Sequence, residues 1–169
     1  AAVLLEHSIQ QNPAPVPHQD VQDSVFFIVN NVSMTNITEK AKELKQILKE
    51  EYFAWLAQYL VLKRVCIEEN FHQVYLKFIE VLNIPGFDRH CFNATLQTCQ
   101  ILLASDNLSN MSEKNMLRSI GSWLGCITLA RNIPILKKQL DLKGLLLDAY
   151  QKGKLLRVVG FVARILISA

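Results

Sequence analysis

A paired helical pattern in the middle of the chain constrains the fold more than any other feature. Residues 60–82 read LVLKRVCIEENFHQVYLKFIEVL, in which the bases Lys63 and Arg64 are followed by the acids Glu68 and Glu69. Beyond the acids, apolar residues recur at spacings of three and four, which places six side chains on one stripe of an α-helix. The stretch therefore predicts two helices joined by a tight turn, with opposite charges at the turn. The six stripe residues are Phe71, Val74, Tyr75, Phe78, Ile79 and Leu82.

The same helical period recurs along most of the chain and predicts eight amphipathic helices. With 6 Gly and 5 Pro among 169 residues, a sandwich or barrel would lack its turn residues. Helix pairs of roughly 35 to 45 residues are typical of HEAT-type repeats. We predict an all-α fold, a HEAT-repeat-like α-solenoid of antiparallel helix pairs, with a compact helical bundle as the structural alternative.

Individual helices carry more specific predictions. The fifth helix, expected over residues 88–104, is predicted to bury Phe92, Leu96, Cys99 and Leu103. Both tryptophans, Trp55 and Trp123, are expected to be core anchors, and Asp141 is expected to cap the seventh helix.

The two ends of the chain differ from its body. Three prolines within residues 13–17 favour extended backbone, so residues 1–19 are predicted to form an extended strap or linker. Leu4 and Leu5 are expected to dock on the helical domain, which is assigned to residues 20–169. The last helix stays strongly apolar to Ile167, whereas a terminal solenoid repeat normally turns a polar face outward. We therefore expect the domain to be truncated at its C terminus.

Charge is distributed unevenly along the chain. Residues 1–84 contain 7 Lys or Arg and 10 Asp or Glu, whereas residues 85–169 contain 11 and 5. A basic half can face nucleic acid, an anionic membrane or an acidic protein, but scattered bases between leucines are also typical of a solvated helical face. No apolar stretch reaches the roughly 18 residues of a membrane span, which predicts a soluble intracellular protein without membrane contact.

The sequence contains few candidates for catalytic residues. It contains no Walker loop, no G-x-S-x-G and no H-E-x-x-H motif, and the four cysteines form no C-x-x-C pair. We expect buried reduced thiols, no metal, no cofactor, no catalytic residue and no enzymatic activity. The remaining candidates are sites for partners. The charges at the Lys63 to Glu69 turn suit either the helix macrodipole or a docking partner, and Leu108 and Met111 are apolar residues in a polar loop.

Five stretches of the chain together are similar to one known family. They are IVNNVS at 28–33, WLAQYLVLKRV at 55–65, ENFHQVY at 69–75, GCITLARNIPIL at 125–136 and LLLDAY at 145–150. They resemble the central segment of the largest Not subunits, the scaffold of the Ccr–Not deadenylase complex. That segment is in turn similar to the middle domain of eukaryotic translation initiation factor 4G, a HEAT-repeat module.

The resemblance implies a non-catalytic scaffold that couples mRNA deadenylation to translational repression and decay. It implies a Caf-type deadenylase on one surface and a DEAD-box RNA helicase on another, with other Ccr–Not subunits bound elsewhere on the scaffold and RNA met only indirectly. Such a protein would be cytoplasmic, including P-bodies, and partly nuclear. Two alternatives remain: a translation-initiation scaffold that binds an initiation helicase, and a direct RNA-binding module that uses the basic C-terminal half.

The resemblance also implies positions for the two partners. The helicase contact of the family lies at the turn between the third and fourth helices, which carries over to Arg64, Glu68, Asn70 and Phe71. The family usually has proline before the Asn-Phe pair, where this chain has Glu69. Leu108 and Met111 are the candidates for contact with the nuclease.

Overall fold

Eight α-helices lie within residues 14–105 and 111–169, the parts of the chain that the computed structural model describes. No β-strand occurs within these two ranges. The all-α prediction is therefore confirmed, with the predicted number of helices. The helices are α1 (Gln19–Asn30), α2 (Ile37–Ile47), α3 (Phe53–Tyr59), α4 (His72–Leu82), α5 (Phe87–Ala104), α6 (Met111–Ile127), α7 (Leu142–Gln151) and α8 (Leu155–Ile167).

The helices stack in two layers, as expected for an α-solenoid. Consecutive helices pack together as α1 with α2, α5 with α6 and α7 with α8. Within the layers, α3 packs on α5, α2 on α4 and α6 on α8. On α1, Phe26 extends the odd-numbered layer, because its ring centroid lies 5.8 Å from that of Trp55 and 4.5 Å from that of Tyr59 on α3. Each helix therefore contacts its successor or the helix two places along, which is the contact pattern of a helical repeat.

The α4 stripe is buried along most of its length. Tyr75, Phe78 and Leu82 are at most 1% exposed. Phe71 is the exception at 49% exposed, because it lies in a 3₁₀ turn, Glu69–Phe71, that precedes α4 rather than inside the helix. Trp123 is fully buried as predicted, whereas Trp55 is only half-buried at the edge of the core.

The predicted inward face of α5 is wrong by about one position. Cys99 is buried, but Phe92, Leu96 and Leu103 are only half-buried against the core. The inward face carries two threonines whose hydroxyls donate to backbone carbonyls four residues earlier in the helix, at 2.7 Å each. A threonine that bonds its own helix can be buried without an unsatisfied hydroxyl. The buried α5 residues are Phe87, Cys91, Ala94, Thr95, Thr98, Cys99 and Leu102.

The even-numbered layer contains an unusually close helix contact. A Cβ built on Gly125 of α6 would lie 2.3 Å from the carbonyl oxygen of Ile165 on α8, and one on Gly121 would lie 2.9 Å from that of Phe161. Only glycine permits the two backbones to approach this closely. The same junction holds a buried ion pair, in which Arg157 Nη2 lies 3.5 Å from Glu113 Oε2.

The start of α7 agrees with the capping residue predicted for it. Asp141 caps α7 as expected, since its Oδ1 accepts a hydrogen bond of 2.9 Å from Gly144 N.

Residues 14–18 carry no helix, and Pro17 is buried where its carbonyl accepts from Gln22 Nε2 at 2.9 Å. The rest of the predicted strap, including Leu4 and Leu5, lies outside the described residues. No helix within the described ranges has the length and apolarity needed to cross a bilayer.

Candidate partner-binding site

The turn between α3 and α4 is built by a change of helix type. After Tyr59 the chain continues as a π-helix, Leu60–Val65, and Cys66 N donates to Val61 O at 3.0 Å across this wider turn. Such π-helical turns occur frequently at functional sites. The chain then reverses, and the 3₁₀ turn Glu69–Phe71 leads into α4.

Arg64 and Glu68 are joined to each other and to Tyr75. Arg64 Nη2 lies 3.1 Å from Glu68 Oε2, and Arg64 Nε donates to the Tyr75 hydroxyl at 3.1 Å. The Tyr75 hydroxyl in turn donates to Glu68 Oε2. Burial, followed by the hydrogen bond to Glu68, raises the pKa of Tyr75 to about 12, so this donor keeps its proton at neutral pH. The charges predicted to be displayed at the turn are thus largely satisfied within the chain.

The turn also presents a small apolar surface. Ile67 is 65% exposed and Phe71 is 49% exposed, and Asn70 beside them is exposed as well. Exposed apolar side chains that cluster beside polar ones are typical of interaction sites. Ile67 was not among the residues predicted for this site. The available signal was an apolar residue in a short bridge between two charged pairs, where no helical stripe could bury it.

Side chains behind the turn fix it to the even-numbered layer. Glu69 Oε1 accepts from Ser122 Oγ of α6 at 2.9 Å and lies 3.2 Å from Arg164 Nη1 of α8. The Val65 carbonyl, at the end of the π-helix, accepts from Ser119 Oγ at 2.6 Å and lies 2.9 Å from His72 Nε2. Glu69 and the Val65 carbonyl therefore make tertiary contacts. These contacts hold the turn as a preformed platform.

Of the two residues predicted to contact the nuclease, the structure describes only Met111. Leu108 lies outside the described residues. Met111 is the first residue of α6 and is 65% exposed. The α5–α6 connection, like the α3–α4 turn, joins an odd-numbered helix to an even-numbered one.

The described residues supply little that could perform chemistry. They contain no group of three His, Cys, Asp or Glu side chains able to hold a metal ion. Burial raises the pKa of Cys66 and of Cys91 to about 12, so both thiols stay protonated and weakly reactive. The arrangement at the α3–α4 turn is suited to binding a protein, since it combines an exposed apolar surface with polar groups held in place.

Comparison with known proteins gives a consistent result. The family model of the CCR4-NOT transcription complex subunit 1 CAF1-binding domain matches residues 13–169. The chain is 42% identical over 159 residues to CCR4-NOT transcription complex subunit let-711 of Caenorhabditis elegans, which covers 89% of this chain and 6% of that protein. It is 38% identical over 161 residues to General negative regulator of transcription subunit 1 of Saccharomyces cerevisiae, covering 95% of this chain and 8% of that protein. The chain thus spans less than a tenth of the length of these relatives.

Proposed function

Since the chain belongs to the CAF1-binding-domain family of CCR4-NOT transcription complex subunit 1, we propose that it is a scaffold segment that binds a CAF1-type deadenylase within a CCR4–NOT complex. The match of the family model over residues 13–169 carries this proposal. The fold supports it, because a stack of paired helices offers extended edges for protein partners. The function of such a segment is to place the deadenylase beside other subunits rather than to react with mRNA itself.

Binding of the purified deadenylase is the direct test. We expect the chain and a CAF1-type deadenylase to co-elute as a stable complex and to give a saturable isotherm by calorimetry. Met111→Glu is expected to weaken this binding roughly tenfold, since it places a charge on an exposed apolar contact. Leu166→Glu, at a 59% exposed position on α8, is the matched control and should bind as the unmodified chain does. Failure of the unmodified chain to bind the deadenylase would refute the proposal.

We further propose that the α3–α4 turn docks a DEAD-box RNA helicase. Phe71, Asn70 and Ile67 provide exposed contact surface, and Arg64 with Glu68 provides a fixed pair of charges behind it. A preformed apolar side chain with polar groups around it is the usual composition of a binding hot spot. Helicase docking would join translational repression to deadenylation on one scaffold.

Two variants separate docking from stability at this turn. Phe71→Ala removes a half-exposed ring and is expected to weaken helicase binding by about tenfold or more, with little change in melting temperature. Exchanging the charges, Arg64→Glu with Glu68→Arg, keeps an intrachain ion pair but presents reversed charges to a partner. We expect this double variant to fold and to lose helicase binding. Full binding by both variants would exclude this turn as the helicase site while leaving deadenylase binding untouched.

A further inference from the structure

A cavity of about 300 Å³ lies at the opposite end of α4 from the candidate site. Its walls come from the second half of α4, the first turns of α5, the end of α6 and the loop that follows α6. The Arg64–Tyr75 cluster plays no part in this region, although the lining residues from Ile127 to Pro134 lie within one of the five stretches that resemble the known family. The apolar lining consists of Leu76, Ile79, Cys91, Phe92, Ile127, Ile133 and Pro134.

The size and shape of the cavity favour a single side chain over a cofactor. Its volume is at the lower end of the range of roughly 300 to 1,000 Å³ found for ligand pockets. Ile133, which lines the cavity, is 48% exposed, and Leu136, three residues further along the same loop, is 43% exposed. A bulky apolar side chain could fill the cavity while the peptide that carries it runs along this loop.

The charges at the mouth favour an acidic peptide. Arg89, on the first turn of α5, is exposed and makes no salt bridge to any residue in the described part of the chain. Asp88 also lines the cavity, and its Oδ1 accepts from Arg89 N at 2.9 Å, but no salt bridge joins its carboxylate to the Arg89 guanidinium within the described residues. Arg131 also lines the mouth, although Glu80 pairs with it at 2.8 Å. A carboxylate next to the apolar anchor would meet the Arg89 guanidinium, which suits carboxylates better than an ammonium does.

One oriented hydrogen-bond donor completes the site. Gln139 lines the cavity and is half-buried, and its Oε1 accepts from Leu136 N at 2.9 Å. This bond leaves the Nε2 amide protons without a partner among the described residues. They can therefore donate to a backbone carbonyl of a bound peptide.

We propose that this cavity, named here the α4–α6 pocket, binds a short acidic segment of a protein partner through one bulky apolar anchor residue. The anchor fills the space between Ile79 and Phe92, and a flanking Asp or Glu pairs with Arg89. The pocket and the α3–α4 turn lie at the two ends of α4, so both can be occupied at once. This proposal does not depend on deadenylase or helicase binding.

The test is a selection from a random peptide library displayed on phage, with the intact chain as bait. We expect the enriched peptides to share a bulky apolar residue with Asp or Glu next to it. A labelled enriched peptide should lose roughly tenfold in affinity with Arg89→Glu, since the variant replaces attraction by repulsion. Arg118→Glu reverses an exposed charge on α6 outside the pocket and should leave the affinity unchanged. Higher salt should weaken binding.

A second variant tests the apolar part of the pocket. Ile79→Glu places a carboxylate in the cavity and should abolish binding of the enriched peptide. Should that variant fail to fold, Gln139→Leu, which removes the donor from the rim, is expected to weaken binding severalfold. Failure of the library to yield a common motif would overturn the proposal. So would enriched peptides without acidic residues, or binding that is unchanged by Arg89→Glu.

Discussion

The imidazole of His72 is 4% exposed and packs against Trp123, with 5.4 Å between the ring centroids. Its Nε2 lies 2.9 Å from the Val65 carbonyl oxygen and 3.2 Å from Ser119 Oγ. Burial lowers the pKa of His72, and this effect outweighs the opposing influences of the Val65 carbonyl and of the Glu69 carboxylate. The folded chain therefore holds a neutral histidine, whereas the unfolded chain takes up the proton at the ordinary histidine pKa of about 6.5.

This histidine should make the fold less stable in mild acid. Because the unfolded state binds the proton first, the free energy of unfolding is expected to fall as pH decreases below about 6.5 and to be unaffected above it. Urea unfolding near pH 7.5 and near pH 5.5 measures the difference. His72→Gln should reduce the pH dependence, whereas the exposed His90→Gln should retain it. If the free energy of unfolding changed equally with pH in His72→Gln and in the unmodified chain, His72 would not be the group responsible.

At the scale of the helix, α5 shows what hydrophobic periodicity misses. The predicted face contained the large apolar residues Phe92 and Leu96, because threonine counts as polar in such a pattern. Thr95 and Thr98 are nevertheless at most 2% exposed, since their hydroxyls bond to the backbone of the same helix. Thr95 Oγ1 also accepts from Trp123 Nε1 at 3.1 Å. That contact spans 28 residues in sequence, and no local pattern reports it.

The two threonines should respond differently to the same substitution. Thr95→Val keeps the shape but removes the acceptor of a buried indole N–H, which is expected to cost about 1–3 kcal/mol of stability. Thr98→Val removes only a bond to its own helix, so its effect should be much smaller. Urea denaturation of the two variants provides the comparison. Equal losses would show that the Trp123 hydrogen bond contributes nothing.

The contact between α6 and α8 depends on glycine. A Cβ at position 125 would overlap the backbone of Ile165, so Gly125→Ala must push the helices apart and is expected to destabilise the fold by about 1–3 kcal/mol. Gly160 has open space around its Cα, and Gly160→Ala should stabilise α8 by about 0.5–1 kcal/mol. Thermal melts of the two alanine variants should shift in opposite directions. If Gly125→Ala left the melting temperature unchanged, the two helices could separate without loss of stability.

The candidate site was predictable from the sequence only in part. The sequence predicted opposite charges at this turn, but the salt bridge between Arg64 and Glu68 does not follow from helical spacing, because Arg64 lies in the π-helix and Glu68 lies outside any helix. The exposure of Phe71 does not follow, because periodicity places it on the buried stripe and only the 3₁₀ turn removes it. The anchoring of Glu69 by Ser122 and Arg164 likewise joins residues that are distant in sequence.

For the whole molecule, the uneven charge of the two halves acquires a structural meaning. Arg164 of the basic half pairs with Glu69 of the acidic half, and Arg131 pairs with Glu80 at 2.8 Å. The first pair connects α8 to the α3–α4 turn, and the second connects α4 to the 3₁₀ turn that follows α6. Part of the basic excess therefore holds the solenoid together instead of facing a ligand. Such pairing explains why a chain with separated charges can expose fewer free cations than its sequence indicates.

This distribution argues against the alternative of a direct RNA-binding module. Arg157 is buried against Glu113, and Lys152 pairs with Asp148 at 2.9 Å. With several of its bases paired in this way, the chain should contact fewer phosphates than its charge indicates, and each contact contributes a salt slope of about −0.7 for a single strand. We expect weak binding to a labelled oligoadenylate at low salt, with a slope shallower than about −2, as measured by fluorescence anisotropy. A steeper slope would show that several bases remain free to bind RNA, because the slope grows with the number of counterions that such contacts release.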